Sequence, residues 1–304
     1  MRFEVIKAIY NAGVDDERFY FITGDYGHAN TEEFKTKWKG RYFNAGMSEQ
    51  NIIGMAAGLA LTGKKVFAYS IVPFMTLRCY EQIKIDVCDH NADVTIIGGG
   101  EGFAYGDAGP THYAIEDIGA MRLLPNMKVV CPANPMETRQ LTEQIIKIGG
   151  PAYIRIGRGR EANPEKEYTV QLGRAHVMRE GKDMTIIAVG TIVSEALKAA
   201  ELLAAQGIDV EVLNMHTVKP LDVDAIKERT KTRKAIVTLE EHSVIGGLGG
   251  AVAEVLAEMP DRPLFKRFGV ADRWPKVVGS QQYLREHTGI SADIIVPQIL
   301  ALLK

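Results

Sequence analysis

Short, almost uninterrupted apolar runs alternate along this chain with longer stretches of helical period. Phe19–Thr23, Val66–Ser70, Val94–Gly98, Lys128–Cys131 and Ala152–Ile156 read as strands. A strand that is apolar at nearly every position is covered on both faces, as parallel strands are. Between them, Ser48–Leu61, Phe74–Cys88, Glu116–Leu123 and Pro135–Ile148 carry the helical pattern. The alternation predicts a doubly wound α/β domain. Gly157–Gln171 then mixes Gly, Pro and charge with little apolar content and reads as a linker. A second alternation follows, with strands at Thr185–Val189, Asp209–Leu213, Ala235–Leu239 and Leu264–Phe268 and helices at Ser194–Ala205, Val223–Arg229, Ala251–Met259 and Ser291–Leu303. The expected plan is α/β with two doubly wound domains, 1–160 and a smaller 176–304, joined by a linker at 161–175.

A chain of 304 residues has room for two cores. Its formal net charge of -2 gives no footprint for nucleic acid or an anionic membrane. No apolar run is long enough to span a bilayer, and the opening MRFEVIKAIYNAG reads as an amphipathic helix rather than a signal peptide. Cys79, Cys88 and Cys131 are an odd number in apolar surroundings, which predicts reduced thiols and a cytoplasmic location. No CxxC or HExxH spacing occurs, so no metal ligands are assigned.

Three segments carry candidate chemistry. In FNAGMSEQNIIGMAAGLA (Phe43–Ala60) the helix after Ser48 is apolar on nearly every face, which predicts burial all round. Glu49 in its first turn is either a carboxylate favoured by the helix dipole or a buried carboxyl of raised pKa, poised to share a proton with a ligand. GGGEGFAYGDAGPTH (Gly98–His112) is a Gly-rich loop at a strand's C-terminal end, where open α/β sheets bind ligands. His112, which closes it, is either structural or an acid–base group. FMTLRCYEQIKID (Phe74–Asp86) sets Phe74, Arg78 and Tyr80 together at a helix start, as core or as a platform for a ring. Arg155 and Arg158 in YIRIGRGR read as an anion clamp or as a solvated basic edge. GGLGG (Gly246–Gly250) precedes a helix; close helix–strand packing explains it better than a phosphate cradle.

These segments, in this order, resemble the pyrimidine-binding domain of transketolase and of 1-deoxyxylulose-phosphate synthase. GMSEQ…GMAAGLA is similar to the family's helix whose carboxylate meets the aminopyrimidine of thiamine diphosphate, with Glu49 in that place. GDAGPTH resembles the family's loop ending in a substrate-side histidine, here His112, with Asp107 close by. Phe74–Gln82 resembles the segment that packs an aromatic on the pyrimidine, which implies cofactor contacts for Glu49, Phe74, Arg78 and Tyr80. NMHTVKPLD (Asn214–Asp222) and LEEHSVIGGLGG (Leu239–Gly250) look like the C-terminal domain of split transketolases. The resemblance implies transfer of a two-carbon ketol unit from a ketose to an aldehyde. In that chemistry Glu49 shares a proton with the pyrimidine and His112 assists at the substrate. The substrate would be bound by His112, Asp107, Arg155 and Arg158.

The family's Gly-Asp-Gly…Asn stretch, which holds diphosphate and a divalent metal, has no match; GDYGHAN (Gly24–Asn30) is too compact. Thiamine diphosphate is therefore expected to meet its magnesium on an N-terminal partner subunit, with this chain as a homodimer within an α2β2 assembly. Two positions depart from transketolases: Ala108 where an aspartate usually reads a substrate hydroxyl, and Gly100 where a second histidine is common. Both point to an unusual ketose. Two other readings stay open: a decarboxylating subunit of the deoxyxylulose-phosphate-synthase or E1 β kind, and a non-catalytic subunit of the same fold. A nucleotide-dependent dehydrogenase would need a dinucleotide fingerprint that Gly24–Asn30 does not supply.

Overall fold

The computed structural model describes residues 1–26, 31–159 and 161–304. The last four residues of GDYGHAN and Arg160, the end of the expected first domain, lie outside the described residues. The chain forms two compact units, Met1–Glu101 with Ala120–Thr169, and Gly102–Gly119 with Val170–Lys304.

In the first unit the strands β1 (Phe19–Thr23), β2 (Tyr42–Asn44), β3 (Lys65–Ile71), β4 (Val94–Gly99), β5 (Lys128–Val130) and β6 (Ala152–Ile156) lie in the order β5-β6-β4-β3-β1-β2. Every neighbouring pair is parallel, with Phe21 opposite Phe67 and Ile97 opposite Ile154. The continuous apolar strands are covered on both sides: Phe21, Ile22, Ala68, Ile96, Ile97 and Ile154 are fully buried. The chain begins at β1, steps outward to β2, then returns to lay β3 on the other flank of β1. This reversal puts a topological switch between the C-terminal ends of β1 and β3, where side chains can converge without a strand above them.

Two expectations for this unit change. The helix Glu49–Leu61 buries Glu49, Ile52, Ile53, Ala56 and Ala57 but leaves Gln50, Asn51, Gly54, Gly58 and Leu61 exposed, so only one face is covered. The expected single helix over Phe74–Cys88 is broken into the turns Val72–Met75, Leu77–Cys79 and Tyr80–Gln82 and a π-helical stretch Ile83–Asp89. Thr76 Oγ1 donates to the Val72 carbonyl at 2.7 Å, a local bond that competes with helix continuation. The expected linker is also anchored. Tyr168 bonds through its hydroxyl to Glu137 and Asn134, and its carbonyl accepts from Gln140 Nε2 at 2.8 Å.

The second unit contains β7 (His176–Arg179), β8 (Met184–Val189), β9 (Val210–Asn214), β10 (Thr217–Lys219), β11 (Ala235–Ser243) and β12 (Leu264–Val270). Five of them form a sheet in the order β12-β11-β8-β9-β7, parallel except for β7, which runs antiparallel to β9 at the edge. Residues 102–119 join this unit because the chain there bonds to the end of β11, as in Ser243 N to Ile115 O at 2.7 Å. Among the described residues, no helix is long and apolar enough to cross a membrane.

His216, between β9 and β10, is fully buried with Nδ1 2.9 Å from Thr217 Oγ1. Burial, reinforced by His176, pushes its pKa from the usual 6.5 down to about 4. The unfolded chain therefore binds the extra proton first. The stability that neutral His216 contributes is present above pH 6.5 and is lost as pH falls toward 4, by about 3 kcal/mol at most. Denaturant unfolding at pH 7 and pH 4.5 is expected to show this slope, and His216→Leu to reduce it; an unchanged slope in the variant would remove His216 as its source.

Candidate active site

Glu49 opens its helix at 3% exposure, and its carboxylate is met by side chains from the end of β3 and the turn beyond. Ser70 Oγ donates to Oε1 at 3.2 Å and Arg78 Nη1 to Oε2 at 2.7 Å. The Arg78 guanidinium also lies over the Phe74 ring, 4.2 Å from its centroid. Glu49, Ser70, Phe74 and Arg78 thus form one cluster beside the switch in the sheet. Gly24, just past β1, closes it from the other side: a Cβ there would sit 3.1 Å from Ser70 Oγ. The neighbouring Cys79 thiol is pushed up to about 12, first by burial and then by the Glu49 charge, which leaves it inert as a nucleophile. Tyr80 does not join the cluster through its polar end. Its hydroxyl donates to the Ala120 carbonyl at 2.9 Å, and burial raises its pKa.

His112 sits on a closed loop of the second unit. Gly102 and Ala114 exchange backbone hydrogen bonds of 3.1 and 2.9 Å, pinching 103–113 at its base. Phe103 and Tyr113 are buried beneath it, edge to face at 5.1 Å. Gly109, at φ +82°, turns the chain between the short 3-10 turns Gly106–Ala108 and Pro110–His112. Asp107 and Ala108 are exposed on the first turn. His112 is half-buried at the end of the second, with Nδ1 2.9 Å from Thr111 Oγ1 and its ring edge toward Tyr105.

Arg155 departs from both of its expected roles. It is 1% exposed within β6 and pairs with the equally buried Glu101 at 2.9 Å, an internal ion pair rather than an anion clamp or a solvated edge. Arg158, past the strand end, is half-buried. The GGLGG stretch is filled by the chain itself. Glu240 accepts from Leu248 N at 2.7 Å and Gly249 N at 2.8 Å, capping the helix Leu248–Ala257, and a Cβ on Gly247 would lie 2.0 Å from its Oε2. The helix end that a phosphate would use is occupied by a carboxylate. Among the described residues, no group of three or more His, Cys, Asp or Glu is arranged to hold a metal ion.

Residues 5–161 match the transketolase pyrimidine-binding domain family, and 173–295 match the transketolase C-terminal domain family. The chain belongs to the transketolase family. Within it, the chain is 41% identical over 92% of its length, and 87% of the relative's, to the 6-deoxy-6-sulfo-D-fructose transketolase subunit SqwH of a Clostridium species. It is 38% identical to one subunit of the apulose-4-phosphate transketolase of Actinobacillus succinogenes, over 90% of this chain and 88% of that one. A solved structure described as a split-gene transketolase in an inactive beta4 tetramer superposes with a TM-score of 0.88 at 37% identity, covering 99% of this chain and 97% of its own. This transketolase is thus a thiamine-diphosphate-dependent transferase subunit of the split kind.

Ser70 is a member of the cluster that sequence reasoning does not single out. Its one signal is a hydroxyl near the C-terminal end of an otherwise apolar strand, VFAYSI. Removing a donor to a buried carboxylate costs about 1.5–3 kcal/mol. Ser70→Ala is expected to lower unfolding stability by that order in a urea titration; an unchanged midpoint would show that Glu49 does not depend on this bond.

Proposed function

We propose that this chain is the pyrimidine-binding and C-terminal subunit of a transketolase that moves a two-carbon ketol unit from an anionic ketose to an aldehyde. The observation that carries this reading is the Glu49 cluster. An aminopyrimidine needs a carboxyl to share a proton with its ring nitrogen and a flat apolar face to stack on. Glu49 and Phe74 offer both, and the Arg78 guanidinium, itself planar and cationic, spans the same two groups. The residues therefore fit the pyrimidine end of thiamine diphosphate, with Arg78 turning aside or sharing the carboxylate when a ring is present.

When bound, thiamine diphosphate supplies the electron sink for carbon–carbon cleavage. Glu49 holds a proton against the ring nitrogen, and Ser70 fixes the carboxylate from behind. His112 is assigned to the substrate, where it passes protons to and from hydroxyl and carbonyl oxygens; Asp107 on the same loop reads a hydroxyl in place of the aspartate that Ala108 replaces. The relatives named for apulose 4-phosphate and 6-deoxy-6-sulfofructose both act on sugars with an anionic end. Arg158 is the remaining candidate for that end, since Arg155 is committed to Glu101.

The diphosphate and magnesium are assigned to a partner subunit in an α2β2 assembly located in the cytoplasm. Burying a diphosphate uncompensated would cost several kcal/mol or more, on the order of what isolated buried charges cost. A divalent metal in oxygen ligands normally offsets this cost. Two exposed apolar side chains support a partner surface: Met47, just before the Glu49 helix, and Leu61, at its end, are 84% and 58% exposed. The related chain that forms an inactive tetramer supports assembly of this subunit with itself when no partner is present.

Glu49→Ala is expected to abolish turnover in the reconstituted complex while circular dichroism still shows a folded chain; near-normal turnover would end this reading. Calorimetric titration of the isolated chain with thiamine diphosphate and magnesium is expected to give no tight binding, with micromolar binding restored by the partner. Tight binding or ketol transfer by this chain alone would overturn the split arrangement.

A further inference from the structure

The strand β11 runs on through Glu240-Glu241-His242-Ser243, a polar end in which the first three residues are buried. Glu240 caps its own helix, and the next three residues each bind a different point of the segment 102–119. Glu241 Oε1 accepts from Phe103 N at 2.7 Å. His242 Nε2 accepts from Gly119 N at 3.2 Å; its Nδ1 lies 2.8 Å from the Ser243 carbonyl, which assigns the proton to Nδ1 and leaves Nε2 as acceptor. Ser243 N donates to Ile115 O.

Glu241 is the strongest of these contacts. Its charge is met by Arg285, with Nε 2.7 Å and Nη2 2.5 Å from Oε2, and by Gln281 Nε2 at 3.0 and 3.1 Å from the two oxygens. Arg285 Nη2 is itself held by Thr191 Oγ1 at 3.0 Å. A carboxylate so fixed makes a short, charge-assisted bond to a single backbone amide. That amide belongs to the first residue of the pinched loop that ends in His112. Gly102, just before it, has φ +55°, and a Cβ there would lie 2.5 Å from Glu241 Oε1, so the loop base is seated directly on the carboxylate. The loop's flank is held separately, by Gly279 N on Gly106 O and Tyr113 OH on Val277 O.

We propose that Glu241, charge-balanced by Arg285, is a positioning residue that sets the height and angle of the His112 loop. The role rests on the assignment of His112 to the substrate. Misplacing a catalytic group by about 1 Å can cost on the order of 100-fold in rate. Anchoring at the base fixes the imidazole while Asp107 on the first turn and Thr111 on the second stay exposed to substrate.

The test uses the full chain reconstituted with its partner subunit. Glu241→Gln is expected to lower kcat about 10- to 100-fold while the cofactor Kd changes less than about twofold. Hydrogen exchange of the 103–114 amides should accelerate about tenfold or more with the amides of β8 and β9 unchanged. In a His112→Ala background the same substitution should cost less than about twofold further, because its effect runs through the histidine. Gly102→Ala, whose Cβ would press on the Glu241 carboxylate and force the loop base off it, is expected to give the same exchange pattern and rate loss, with circular dichroism of both variants showing that the fold survives. Equal losses from Glu241→Gln with and without His112, or unchanged exchange in 103–114, would overturn the positioning role. Normal turnover by His112→Ala would overturn the assignment of His112 itself, and the positioning role with it.

Discussion

A carboxylate taken out of water must be met by donors, and this chain places several where its strands end. Glu49 is met by Ser70 and Arg78, Glu101 by Arg155, and Glu240 by the first amides of a helix. Glu241 is met by Arg285, Gln281 and the Phe103 amide. Each group would cost several kcal/mol if left unpaired, so each fixes the geometry of whatever supplies its donors. The apolar strands build the two sheets; the buried acids decide how the loops at their ends are seated. Glu211, clasped by Arg229 and Arg233 in the second sheet, does the same for the helix Val223–Thr230.

The surroundings of these acids differ. Glu240 spends both oxygens on the first amides of its helix, and Glu241 is shared between the Phe103 amide, Arg285 and Gln281. Glu101 and Arg155 are both 1% exposed and close on each other. Glu49 is different because its cationic partner is 45% exposed and rests on an aromatic face. An exposed guanidinium is held by a weaker net pairing than a buried one, since water competes for it. It can be turned aside at modest cost, while the carboxylate stays in place on Ser70. This is what the proposed pyrimidine contact requires of the pair.

Much of this is legible in the sequence. Phe19–Thr23, Ala152–Ile156 and Pro135–Ile148 fall where the apolar pattern puts them, and the α/β class with its two mostly parallel sheets follows from the alternation, whereas residues 102–119, expected in the first domain, belong to the second unit. The departures have a common cause. Apolar pattern ends β11 at Leu239 because Glu-Glu-His-Ser looks like a loop, but its donors come from residues far along the chain, such as Phe103 and Arg285. Arg155 reads as a surface cation because Glu101, its partner, lies in a Gly-rich stretch past the end of another strand. Ser70 escapes notice for the same reason. Pairings across the sheet have no local signature, whereas apolar period and helix caps do. The helix Glu49–Leu61 departs in the other direction: its apolar composition predicts burial all round, yet Gln50, Asn51, Gly54, Gly58 and Leu61 are exposed.

That last mismatch bears on why such an enzyme would be divided between chains. The pyrimidine end asks for an apolar face, one carboxylate and little else, which a parallel sheet with a switch beside β1 and β3 readily supplies. The diphosphate end asks for a hard cation and oxygen ligands, whose burial beside Glu49 would set further carboxylates against it. In the proposed arrangement, the two demands fall on separate surfaces, and the exposed Met47 and Leu61, before and at the end of the Glu49 helix, would be covered by the partner. In the proposed reading, specificity for the sugar falls to the loop that β11 anchors. There, exposed residues such as Asp107 and Ala108 can change without disturbing the buried acids that hold the loop in place.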